Sequence, residues 1–238
     1  MSGAALNGVG QLGDPSAGAS GPSSAWKIGD LQSKGASTVG LWLGNTDTDQ
    51  SGNGNNAVQT TSANQPTIVS SGSVVLEAGK PTLQFDGIDD KLQADSVSLV
   101  QPFQFFFVAK VTTDDTVSNS IIDATGQRAN FFLSASIGTT INAGAPLSDG
   151  AYPSNVRTLY TGLYNSANSL IARQGTITAT GDAGSGGLTQ MTIGNNSGGN
   201  QLNYLTGPMQ ELIIYPSNQS ANRIAIESNI NAHYSIYP

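Results

Sequence analysis

Acid–base chemistry in this 238-residue chain would first be built from its three glutamates, Glu77, Glu211 and Glu227, and its single histidine, His233. Hydrolysis of a glycosidic bond needs two carboxyl groups across that bond, one protonated and one ionised. The glutamates are dispersed along the sequence, so such a pair would have to be assembled by the fold or drawn from the aspartates. His233 falls near the end of a C-terminal helical pattern, where a partly exposed helix residue is expected rather than a base. No G-x-S-x-G, H-E-x-x-H or G-x-x-x-x-G-K-[ST] segment occurs, which removes the usual nucleophile, zinc and nucleotide signatures. The chain is therefore expected not to be an enzyme, with no catalytic residues and no cofactor.

Two other groups carry chemistry of a different kind. Asp86, Asp89 and Asp90, around the turn at Gly87, could cap backbone amides or hold a hard cation by oxygen ligands. Calcium is the hard cation considered for them, although the spacing is not that of an EF-hand. Tyr152, Tyr160, Tyr164 and Tyr204 are candidates for contact with a glycan, because sugar faces stack on aromatic rings. The abundant Asn, Gln, Ser and Thr would supply neutral donors and acceptors for hydroxyl groups.

The elements that must position these residues follow from composition and pattern. A length of 238 residues suits one all-β domain, since such domains routinely run to about 200–250 residues. A chain of this size needs neither disulfide nor metal for stability, and it has no cysteine. Charged residues make up 11% of the chain and the formal net charge is −7. Nucleic acid is excluded as a partner by the nine scattered Lys and Arg residues, which form no basic stripe. Membrane insertion is not expected, because no run of eighteen apolar residues occurs, and the N-terminus lacks the basic and apolar regions of a signal peptide.

Residues 1–25 are Gly, Ala, Ser, Asn and Pro with almost no large apolar side chains, and they read as an arm ordered against a neighbouring subunit. From Trp26 short apolar stretches alternate with turn residues, the spacing of many antiparallel strands. Strands are expected at Val39–Leu43, Thr82–Phe85, Phe103–Val111, Ser120–Asp123, Ala129–Ser134, Arg157–Tyr164, Ser169–Arg173, Thr189–Ile193 and Gln210–Tyr215. In Phe103–Val111 the odd-numbered residues form a uniformly apolar face. A short helix capped by Ser220 carries Arg223, Ile226, Ile230 and Tyr234 at helical spacing, and would pack on a sheet. The segments 181–187 and 195–200 read as loops, 49–56 as a compact turn, and no repeat of fixed period is present.

Three segments, in order, resemble the concanavalin-A-like, laminin-G-like jelly-roll family found in bacteriophage structural proteins and bacterial surface proteins. They are Trp26 through Gln65-Pro66-Thr67, the F-x-G-x-x-D core at Phe85-Asp86-Gly87-Ile88-Asp89-Asp90, and Met191 through the terminal helix. The resemblance covers residues 26–238 and implies an all-β, two-sheet antiparallel jelly-roll sandwich with a short C-terminal helix, preceded by the N-terminal arm. Glucanases of this fold carry E-x-D-x-E on one strand, a pattern missing here. The resemblance and the arm together imply a non-enzymatic virion structural protein, such as a capsid decoration, head-fibre or tail-associated protein. It would form a homo-oligomer and dock on neighbouring virion subunits. The alternative is a carbohydrate-binding adhesion module on a virion, outside a cell or at its surface, recognising a cell-surface glycan.

Overall fold

The computed structural model describes residues 46–47, 55–70, 73–112, 118–125, 129–196 and 203–238. The expected arm over 1–25, the strand Val39–Leu43 and most of the turn at 49–56 lie outside them. Along the chain, β1 (Thr46–Asp47) and β2 (Ala57–Val58) precede two small hairpins, β3 (Val69–Ser70) with β4 (Ser73–Val74) and β5 (Leu76–Glu77) with β6 (Lys80–Pro81). Then come β7 (Leu83–Asp86), β8 (Leu92–Leu99), β9 (Phe103–Ala109), β10 (Asn119–Ala124), β11 (Asn130–Ser134), β12 (Gly138–Asn142) and β13 (Pro146–Ser148). The last strands are β14 (Thr158–Tyr164), β15 (Ser169–Arg173), β16 (Thr176–Gly181), β17 (Leu188–Ile193) and β18 (Thr206–Tyr215), and the helix α1 (Arg223–Tyr234) closes the chain.

Two antiparallel sheets face each other as a jelly-roll sandwich. One has eight strands in the order β1-β2-β8-β17-β10-β11-β12-β13, and the other six in the order β16-β15-β14-β9-β18-β7. Between them Phe103, Phe105, Phe107, Phe131, Tyr160 and Tyr164 are fully buried. Their rings interlock: Phe107 stacks on Tyr160 with centroids 5.0 Å apart and meets Phe131 edge-on at 4.7 Å. Gly162 makes room for this cluster, since a Cβ there would lie 3.0 Å from the Phe131 ring.

The opposite face of β9 is buried as well, which explains why the strand is apolar almost throughout. Phe106 and Val108 join Leu159, Ile213 and Tyr215 beneath Ile226, Ile230 and Tyr234 of α1. Helix α1 therefore covers the outer face of the six-stranded sheet, as its apolar spacing predicts. It is fastened by Arg223, whose guanidinium pairs with Glu227, and by Thr161 of β14, whose hydroxyl donates to the Glu227 carboxylate at 2.7 Å. The cap differs from expectation: Asn222 occupies the N-cap without a side-chain capping bond, and Ser220 lies in the preceding turn. There the Asn218 carboxamide accepts the Ser220 N–H, so the turn has its own closure and the helix starts two residues later.

The outer face of the eight-stranded sheet carries no helix among the described residues. The two sheets are also joined through Asp149, whose carboxylate has no solvent-exposed surface. It accepts from Arg173 Nε at 2.7 Å, Thr178 Oγ1 at 2.9 Å, and the amides of Thr139 and Ala151 at 3.0 Å each.

Candidate functional site

Strand alternation places the polar positions of β10, β11 and β12 on the outer face of the eight-stranded sheet. On β11, Phe131 and Leu133 enter the core while Asn130 and Phe132 face outward. The antiparallel register sets Ser120 opposite Phe132 and Asn130 opposite Asn142, so one serine, two amides and one aromatic ring converge. With Ser118 they line a cavity of about 230 Å³. Its rim is closed by Asn196 after β17 and Asn203 before β18. Among the described residues the lining holds amides, hydroxyls and a half-buried phenyl ring, and no charged side chain.

Asn130 is the pivot of this pocket. Its residue is 6% exposed, and its Oδ1 is buried without a hydrogen-bond partner. An unpaired buried acceptor costs about 1–3 kcal/mol, a cost that a ligand donor can relieve. The terminal amide torsion is soft, so a small rotation turns Oδ1 toward an occupant. Beneath it, the Tyr164 hydroxyl donates to the Asn130 carbonyl oxygen. Burial and the nearby Asp123 carboxylate push the Tyr164 hydroxyl well above its ordinary pKa, so it stays protonated and available as the donor.

The four tyrosines named from the sequence are not brought together at this surface. Tyr160 and Tyr164 are fully buried in the sandwich core and offer no ring face to a sugar. The reason is register: Tyr160 sits opposite Phe107 and Tyr164 opposite Phe103, both on the core face of β9. Tyr152 is half-buried against the core, and Tyr204 is half-buried in the segment leading to β18, one residue from the pocket's Asn203. Phe132 is the aromatic that sequence reasoning missed. Its signal is local: in Asn130-Phe131-Phe132-Leu133-Ser134, a phenyl ring stands in the polar phase of the strand.

Asp86, Asp89 and Asp90 do cluster, with carboxylate oxygens within 4.8 Å of one another. Two of their oxygens are engaged by the turn itself. Asp86 Oδ1 accepts the amides of Ile88 at 2.8 Å, Asp89 at 3.3 Å and Asp90 at 3.4 Å, and Asp90 Oδ2 accepts the Asp86 amide at 2.9 Å. Burial, reinforced by Asp86 and Asp89, pushes the Asp90 carboxyl up to about 6. This is capping chemistry at a turn where Gly87 has φ +80°.

The remaining groups are tied into the scaffold. Glu77 pairs with Lys110 at 2.8 Å, Glu227 is held by Arg223 and Thr161, and Glu211 is buried on β18. His233 is half-buried with its ring edge-on to Tyr234, and burial and Lys80 lower its pKa. A second recess of about 400 Å³ lies further along the same sheet, beside Gln59, Gln93 and Asp95. Its polar groups pair with one another: Gln93 donates to Asp95 at 2.7 Å, Ser96 to Asn55 at 3.0 Å, and Gln59 to the Lys91 carbonyl at 3.2 Å.

No protein-family model matches the sequence, and no curated protein is significantly similar to it. Among solved structures, the chain is similar to Trypanosoma rangeli sialidase in complex with 2,3-difluorosialic acid, at 9% identity and a TM-score of 0.55, over 80% of this chain and 31% of the sialidase. It is also similar to the CBM40 of Ruminococcus gnavus IT-sialidase bound to α2,3 sialyllactose, at 10% identity and a TM-score of 0.44, over 53% of this chain and 82% of that one. A third is the SAP-like pentraxin of Limulus polyphemus, at 10% identity and a TM-score of 0.47, over 63% of this chain and 82% of that one. This chain spans under a third of the sialidase's length. At such identities the likeness concerns the fold alone, a jelly-roll sandwich. No helix among the described residues is long and apolar enough to cross a membrane.

Proposed function

We propose that the protein is a carbohydrate-binding module that holds a saccharide in the pocket on the outer face of its eight-stranded sheet and does not transform it. The observation that carries this reading is the unpaired Asn130 Oδ1 beside the half-buried Phe132 ring, among serine hydroxyls and asparagine amides. A sugar ring matches both features, with C–H faces for the phenyl ring and hydroxyls for the amides. Among the described residues no carboxylate lines the pocket, which supports binding without the paired acid and base of glycoside hydrolysis.

The assembly reading, a virion component docked through its arm, rests on residues 1–25, which lie outside the described residues. The pocket favours adhesion over assembly as the primary role, with action outside a cell or on a particle surface. Retention of the protein on immobilised polysaccharides, compared with Phe132→Ala, tests this. Retention of the parent protein and its loss in the variant is the expected result. Equal behaviour of the two would reject the pocket as the site.

A further inference from the structure

We infer that the pocket accepts a single uncharged sugar unit and turns away acidic sugars; this deepens the carbohydrate-binding reading and rests on it. Size comes first. At about 230 Å³ the cavity is below the roughly 300–1,000 Å³ usual for small-molecule sites, which suits one ring rather than an oligosaccharide.

Charge decides the class. Ser118, Ser120, Asn130, Asn142, Asn196 and Asn203 supply its polar lining, and not one is a cation. A sugar carboxylate entering here would lose water without gaining an ion pair, the costly way to bury a charge. The chain's formal net charge of −7 adds a long-range bias against anions.

The free acceptor on Asn130 fixes the polarity of one contact: Oδ1 calls for a donor, which a sugar hydroxyl or an acetamido N–H provides. Asn142 Oδ1 already accepts the Gly144 amide at 2.9 Å, so its amide is oriented with the NH2 group left to donate to a sugar oxygen. The recess beside Gln93 and Asp95 contrasts with this, because its polar groups are mutually paired and Lys91 and Asp95 bring charge to its lining.

The test is isothermal titration of the full chain with methyl glycosides of uncharged hexoses and N-acetylhexosamines, against N-acetylneuraminic acid and glucuronic acid. At least one uncharged glycoside should bind, the acidic sugars should bind at least about tenfold more weakly, and Phe132→Ala should abolish the difference while keeping the parent's thermal midpoint. Equal or tighter binding of an acidic sugar overturns the selectivity and leaves the carbohydrate-binding reading standing. Binding of no sugar at millimolar concentration overturns both. If Phe132→Ala melts early, Ser118→Lys on the rim serves instead: a gain in acidic-sugar affinity supports the inference, and no change in either class counts against it.

Discussion

The hydroxyl of Tyr164, at the centre of the core, donates to the backbone carbonyl of Asn130, the strand position whose side chain opens on the opposite face of the same sheet. Core and pocket are thereby coupled through the thickness of one strand. A tyrosine that the sequence suggests as a sugar contact instead fixes a residue that lines the pocket.

Tyr164→Phe keeps the ring stacked on Phe103, whose centroid is 4.7 Å away, and removes only the donor. Losing this buried hydrogen bond should cost about 0.5–1.5 kcal/mol in denaturant unfolding. Saccharide affinity should fall too, although the substituted atom never reaches the surface. Unchanged stability and unchanged affinity would show that the Asn130 carbonyl does not depend on this bond.

Adjacent residues on β11 should behave oppositely. Phe131→Ala empties core volume and should destabilise the protein by about 3–5 kcal/mol. Phe132→Ala, on the outer face, should cost under about 1 kcal/mol, since half-buried surface positions outside the core tolerate change, and yet eliminate binding. Paired urea unfolding and titration curves check both halves.

Much of this was legible in the chain. The strands that carry strong apolar alternation, such as Thr158–Tyr164 and Ser169–Arg173, stand where the pattern puts them, and so do Arg223, Ile226, Ile230 and Tyr234 on α1. Leu92–Leu99 was not legible, because Asp95 and Ser96 follow one another as two exposed polar residues within it and blur the period of two. Thr176–Gly181 is an edge strand without a buried residue, so no apolar signal marks it. The pocket escaped for another reason: Ser118, Asn130 and Asn203 meet only through sheet pairing, and topology is not written in local spacing. Register does explain the tyrosines, since pairing Arg157–Tyr164 with the apolar face of Phe103–Val111 sends Tyr160 and Tyr164 inward.

Asp149 should be a stability determinant remote from binding. Asp149→Ala strands Arg173, Thr178 and two amides around a buried gap, and should cost about 3–5 kcal/mol. Thermal denaturation checks this; a loss under about 1 kcal/mol, the range of exposed ion pairs, would contradict it.

Asp90 should make stability fall as pH rises. Its folded carboxyl, pushed up to about 6 from 3.8, favours the protonated form. Its contribution is therefore fully present below the unfolded value and is lost as pH passes through about 6. Asp90→Asn keeps an oxygen for the Asp86 amide and should be more stable than the parent at pH 7, with the advantage shrinking toward pH 4. Melting curves across this range decide the sign.

The central claim is that the outer face of β10, β11 and β12 binds a sugar. Amide chemical shifts of the isotopically labelled protein, followed during titration with an uncharged methyl glycoside, test it most directly. Perturbations should converge on Ser120, Asn130, Phe132 and Asn142. Perturbations centred on Gln93 and Asp95, or none at saturating glycoside, would contradict the account.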